Sequence, residues 1–164
     1  MSIQMNQSLS VDCAVFGFNG KSLKVLLNER RYYAPDTRLD KLKLPGAMIL
    51  DNETLPQAAY RVLEEATGLR DVYLKQMDIF SDPNRVSGEE LEWINRYHGI
   101  RTERVVTVGY YALVKLDTRT VAYTTAKGAQ WVDVDSIQRL AMDHKQILSA
   151  ALAVLCREML QSPV

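Results

Sequence analysis

A dominant charge is what this chain most clearly lacks. Twenty lysines and arginines stand against twenty aspartates and glutamates, so the formal net charge is zero. That balance excludes a broad electrostatic field that would gather nucleic acid or another polyanion over the whole surface. Cysteine is scarce: Cys13 and Cys156 lie far apart and read as small buried hydrophobes in a reducing cytoplasm, not as a disulfide or a metal pair. No apolar run reaches the roughly 20 residues that a membrane helix needs. No basic-then-apolar leader opens the chain, and a cytoplasmic location with no membrane contact is expected. Histidine is limited to His98 and His144, and no Ser/His/Asp or Cys/His arrangement is visible. His98 is expected to be exposed, and His144, beside Asp143, to be structural. Internal repeats and low-complexity tracts are lacking as well. What remains is a chain of 164 residues, 47% hydrophobic, which fits a single domain over 1–164 with a sizeable core.

The most informative stretch runs from Leu44 to Leu69, LPGAMILDNETLPQAAYRVLEEATGL. A Pro-Gly turn leads to a short apolar run, Ala47 to Leu50, and Asp51-Asn52 break it. Thr54 and Gln57 then form a capping-box pattern, and Pro56 sits in the first helical turn, where a missing N–H is harmless. Leu55, Ala58, Ala59, Val62, Leu63 and Ala66 recur at helical steps and make one apolar stripe. Gly68 is the stop.

This loop–helix–loop resembles the signature box of the Nudix hydrolases. The family pattern is Gly, five residues, Glu, seven residues, then Arg-Glu-apolar-any-Glu-Glu-any-Gly-apolar. Ala47 takes the place of the glycine, with Gly46 just before it. Glu53, Arg61, Leu63, Glu65, Gly68 and Leu69 match, whereas Val62 and Ala66 stand where glutamate is expected. In the family the box carboxylates share one helix face and bind a divalent metal, usually magnesium, that bridges a diphosphate and helps activate water. Of that set Glu65 alone survives, while Glu64 falls at the variable position. The resemblance therefore implies a Nudix domain that keeps the scaffold residues Glu53, Arg61 and Gly68 and has lost most of its metal site. No metal is expected, Glu65 and Glu53 being weak candidates; Mg2+ or Mn2+ would serve if the protein were hydrolytic, with Glu53, Arg61, Glu64 and Glu65 as the residual catalytic positions.

Elsewhere the pattern is that of alternating strands and turns. Residues 1–8 are expected to fray. Strands are predicted over Leu9 to Phe18 and Leu23 to Leu27, joined by an Asn19-Gly20 turn. A polar loop with Pro35 and Asp36 follows. Further strands are predicted at Val72 to Phe80, Val105 to Leu116 and Gln130 to Val134. Residues 86–103 read as an insert with a helix over Glu89 to Tyr97. Lys115 to Lys127 reads as a polar loop with a short extended piece. Asp135 and Ser136 should cap a helical turn through Leu140. A last helix runs from about His144 to Gln161, started by an Asp143/Gln146 capping box. Leu148, Ala151, Leu152, Leu155 and Met159 form its buried stripe, leaving Ile147 and Val154 for a dimer contact. The fold class is α/β, an α/β/α sandwich of the Nudix type with a mixed sheet.

The segments FSDPNR, RVVTVGYYALV and WVDVDSI, together with LAMDHKQIL, are similar to one branch of the superfamily, that of ADP-ribose pyrophosphatases and the Nudix-related bacterial transcriptional regulators. In those regulators a Nudix domain with a degraded box senses ADP-ribose, a sugar or a sugar phosphate, and a winged helix binds DNA. The chain stops within a few residues of Met159, with no room for such a reader, so DNA contact is expected only through a domain not present here. The resemblance implies a homodimeric effector sensor for a nucleoside-diphosphate-sugar or sugar-phosphate ligand. Its alternatives are a divergent metal-dependent pyrophosphohydrolase and an interaction protein that kept only the fold. Arg30, Arg31, Arg85 and Arg104 are the candidate phosphate contacts, because guanidinium grips phosphate bidentately. Tyr110, with Tyr32, Tyr33 and Tyr111, is a candidate for stacking on a base or sugar, and Trp93 for a packing anchor or lid.

Overall fold

The computed structural model describes residues 2–31 and 38–161. Tyr32, Tyr33, Pro35 and Asp36 lie outside the described residues. Along the described chain run β1 (Met5–Phe18), β2 (Leu23–Glu29), β3 (Leu42–Lys43), β4 (Gly46–Leu50), α1 (Leu55–Thr67), β5 (Lys75–Phe80), α2 (Gly88–His98), β6 (Val106–Lys115), α3 (Thr118–Ala126), β7 (Gln130–Asp133), a short 3-10 turn (Val134–Ser136) and α4 (His144–Gln161).

The sheet is built around β1. On one edge it runs parallel to β6, from Leu9 opposite Val106 to Phe18 opposite Lys115. On the other edge it changes partner: Phe16 to Phe18 pair antiparallel with β2, and Ser10 to Asp12 pair antiparallel with β4. β5 extends the sheet beyond β6, while β3 and β7 both add to β2. The result is a seven-strand mixed sheet, and the gap between β2 and β4 opens where β1 switches between them.

Alternation along β1 splits its side chains between two cores. Val11, Cys13 and Val15 pack with Ala58, Ala59, Val62 and Leu63 of α1. Ala14 and Phe16 pack on the opposite face with Leu148, Ala151 and Leu155 of α4. Helices thus cover both faces, which is the expected α/β/α sandwich. A smaller cluster of Met48, Val86, Ile94 and Val105 seats α2.

Several local expectations are corrected. β1 begins at Met5, not Leu9, because Met5 pairs with Leu50 and Asn6 Oδ1 accepts the amides of Ser8 and Leu9 at 2.8 Å each. The stretch Lys115 to Lys127 contains a helix, α3. Its threonines and valine are poor helix formers, but Asp117 caps it by accepting the Thr120 amide at 2.8 Å. The helical turn after Asp135 ends at Ser136. Asp143 does not cap α4 with its side chain, which is held instead by Arg85. The buried stripe of α4 includes Ile147, fully buried, whereas Met159 is 57% exposed, and Val154 packs on the same core. Ile147 is therefore unavailable for a dimer contact. Cys156 is exposed; Cys13 is buried, and that burial pushes its thiol well above the usual range.

Candidate functional site

The loop before α1 and the helix itself are locked together by short-range chemistry. Thr54 Oγ1 accepts the Gln57 amide at 3.3 Å, and Gln57 Oε1 accepts the Thr54 amide at 2.8 Å. At the other end Gly68 adopts φ 77°, a left-handed cap whose N–H reaches the Glu64 carbonyl. Arg61 donates to both Glu53 oxygens at 2.7 and 2.9 Å and to the Met48 carbonyl at 3.2 Å. Glu53 also accepts the Leu50 amide at 2.7 Å. These Arg61 bonds hold the Glu53 carboxyl below its ordinary range despite the partial burial that opposes ionisation. Upstream, Gly46 has no room for a side chain. A Cβ on Gly46 would stand 1.7 Å from Asp12 Oδ1 and 2.8 Å from the Val11 carbonyl oxygen.

Beside this helix, at the fork between β2 and β4, lies a cleft of about 480 Å³. One of its walls is made of buried ion pairs. Arg30 grips Glu90 of α2 in a fork at 2.7 and 2.9 Å, donates to the Asp40 carbonyl at 2.6 Å and lies 4.8 Å from the Trp93 ring centre. Arg85 forks Asp143 at 2.8 and 2.7 Å and reaches the Val105 carbonyl at 3.0 Å. His144 Nδ1 accepts the Leu44 amide at 2.9 Å, so its proton sits on Nε2, 3.1 Å from Asp12 Oδ2. Burial alone would raise Asp12; the opposing pull of His144, then Lys43 and Arg85, keeps it below the usual carboxylate range. Burial lowers Lys43, whose ammonium donates to the Leu44 carbonyl at 2.9 Å. Trp93 stacks on Tyr97 at 5.1 Å, and Tyr97 meets His98 edge-on at 4.5 Å. Burial, reinforced by Lys43, pushes His98 down to about 4.

The other wall is sparsely paired. It comprises Val62, Glu65 and Ala66 of α1, Asn28 at the end of β2, and Lys127-Gly128 after α3. Val62 is 2% exposed and packs into the core. Glu65 is exposed and its carboxylate meets Arg61 at 3.3 Å. A family metal here would need three carboxylates on this face, but two positions carry hydrocarbon, and Glu53 and Glu65 share one guanidinium. This donor set does not fit a protein-chelated divalent cation. Among the described residues no group of three or more His, Cys, Asp or Glu is placed to hold a metal ion.

Of the residues singled out in the sequence, Arg30, Arg31, Arg85, Glu65 and Trp93 line the cleft. Arg104 lies outside it, bonded to the Ser81 carbonyl at 2.7 Å. Tyr110 is buried in the α1-side core, and Tyr111 is buried with its hydroxyl on Glu158 at 2.6 Å. Glu64 points to Arg70, 2.9 Å away, and Glu53 and Arg61 brace the loop behind the cleft. His98, expected at the surface, is half-buried in the cleft wall, because α2 turns its last residues inward. Asp12, Asn28, Lys43 and Lys127 also line the cleft and were not singled out in the sequence. An aspartate within an apolar strand, Asp12 between Val11 and Cys13, was the clue available for the first of them.

Comparison with known proteins places this geometry. A family model described as the NUDIX domain matches residues 6–151. The chain belongs to the Nudix family. This Nudix domain is similar to the NUDIX domain of Shewanella oneidensis NrtR, solved in complex with ADP ribose. The two share 26% identity over 93% of this chain and 90% of that one, with a TM-score of 0.66. A longer Shewanella oneidensis NrtR chain, solved with a 27mer DNA, shares 26% identity with a TM-score of 0.69, over 92% of this chain and 63% of that one. This chain therefore spans less than two thirds of the longer protein. A mutT/nudix family protein from Listeria innocua shares the fold, with a TM-score of 0.71 and 22% identity over 97% of this chain and all of that one. The search of curated proteins found no match to this chain. Among the described residues no helix is long and apolar enough to cross a membrane.

Proposed function

We propose that this Nudix domain binds an ADP-ribose-like nucleoside diphosphate sugar, or a related sugar phosphate, in the cleft as an effector and does not hydrolyse it. The observation that carries the reading is the pair Val62 and Ala66, hydrocarbon at two of the family's metal-binding positions. Without those carboxylates a divalent ion has too few anchored oxygens to activate water. The 26% identical NrtR domain solved with ADP ribose supports the ligand class. The NrtR chain solved with DNA supports a sensor coupled to a DNA reader, with any DNA contact made outside this chain. In that role a homodimer would carry the ligand's differential binding to the reader.

The test pairs two measurements. Thermal unfolding with ADP-ribose should show a ligand-dependent rise, since a ligand that binds only the folded chain stabilises it by mass action. Incubation of ADP-ribose with magnesium or manganese should leave the diphosphate intact. Steady turnover that vanishes in Glu65→Gln would sink the effector reading. Because Glu65 faces the cleft and Glu64 and Glu53 do not line it, such turnover would favour the second reading, a divergent pyrophosphohydrolase working through Glu65.

A further inference from the structure

The sparsely paired wall does not simply lack a cation; it has one of its own. We propose that Lys127 takes the place of the family's divalent ion and holds the diphosphate of the ligand without metal. The inference rests on the effector reading and deepens it. Lys127 lines the cleft together with Glu65 and Ala66. A Cβ added to Gly68 would meet Lys127 Cγ at 3.3 Å and Cε at 3.9 Å, so the lysine stem passes over the last turn of α1. Among the described residues its ammonium has no ion-pair or hydrogen-bond partner, unlike Arg30, Arg61 and Arg85.

Its position is set by a firm turn. Thr124 is fully buried and accepts Trp131 Nε1 at 3.0 Å, while the Lys127 and Ala129 amides both bond the Thr124 carbonyl, at 3.2 and 3.0 Å. A second sign of a ligand lies next to it. Asn28 donates to the Ala66 carbonyl at 3.0 Å, yet among the described residues its buried Oδ1 has no partner. A buried acceptor left unpaired is destabilising, and a ribose hydroxyl beside the diphosphate would supply the missing donor. Magnesium would do neither job here: the Ala66 side chain offers it no oxygen, and it would sit against an ammonium.

Two probes test the assignment, ADP-ribose and inorganic pyrophosphate, each titrated by calorimetry in EDTA and then in magnesium. The expected result is equal affinity in both buffers and a loss of about tenfold to a hundredfold in Lys127→Ala, the worth of one charge-assisted hydrogen bond. Lys127→Arg should retain most of the affinity, and Asn28→Ala, which removes the acceptor, should weaken ADP-ribose more than pyrophosphate. Binding that requires magnesium, or that survives Lys127→Ala unchanged, would overturn the proposal. Pyrophosphate separates the claims. Lys127-dependent pyrophosphate binding without any ADP-ribose binding would uphold the anion site and remove the proposed ligand. Failure of both probes in EDTA would remove the site itself. Lys127 is exposed, so a folding defect is not expected from either substitution.

Discussion

On the cleft wall made by β1, α2 and the start of α4, Arg30 meets Glu90, Arg85 meets Asp143 and Asp12 meets His144, all buried. On the wall made by α1 and the turn after α3, Val62 and Ala66 are apolar, and among the described residues Asn28 Oδ1 is unpaired and the Lys127 ammonium has no ion-pair partner. In the first wall the chain answers its own charges, so those groups rigidify the cleft. In the second the charge is left for something else to answer. Arg30 and Arg85, which look like phosphate ligands in sequence, are held here by Glu90 and Asp143, whereas Arg31 and Lys127 are exposed and line the cleft.

Asp143→Ala tests this contrast most severely. It leaves Arg85 buried without a partner and should cost about 3–5 kcal/mol in urea unfolding, whereas the double change Arg85→Met with Asp143→Leu should recover most of that. A small loss in the single variant would show that the first wall is not held by its ion pairs. Gly46→Ala comes next. The added methyl collides with Asp12 and the Val11 carbonyl, and a loss of about 1–3 kcal/mol is expected from overpacking, with weakened β1–β4 amide protection in hydrogen exchange. A smaller effect is expected at the box brace. Glu53→Gln should lose about 1–2 kcal/mol at neutral pH. Because the folded Glu53 carboxyl lies below its ordinary 4.5, its contribution is full above that value and fades as pH falls through the lowered one; the variant should lack that fading part of the acid profile.

The last effect, confined to mildly acidic pH, concerns His98. Its folded value of about 4 lies below the ordinary 6.5. As pH falls from about 6.5 towards 4, the unfolded chain therefore takes up a proton that the fold refuses, and stability declines over that window. Unfolding free energies measured across it should slope less in His98→Gln. An unchanged slope would mean that the cleft wall does not hold His98 away from its proton.

Much of this was legible in local pattern. The capping box at Thr54, the Gly68 stop, the Arg61–Glu53 spacing and the loss of Val62 and Ala66 as metal ligands all follow from residues close in the chain. The β1–β2 hairpin and the two core-covering helices follow from hydrophobic period. α3 was missed because its threonines favour strand, and a single cap at Asp117 plus burial of Thr124 overrides that preference. Met159 was misplaced because a helical stripe does not say where the core ends.

The chain alone determined the box, its scaffold and its defect, since each depends on spacing within one loop and one helix. Only the tertiary structure decided which charges are free. Arg30 finds Glu90 and Arg85 finds Asp143 across elements far apart in sequence, and Lys127 reaches the cleft because an unforeseen helix carries its turn to the end of α1. Ion pairing is a matter of distance in space, and distance between remote segments is not written in either one.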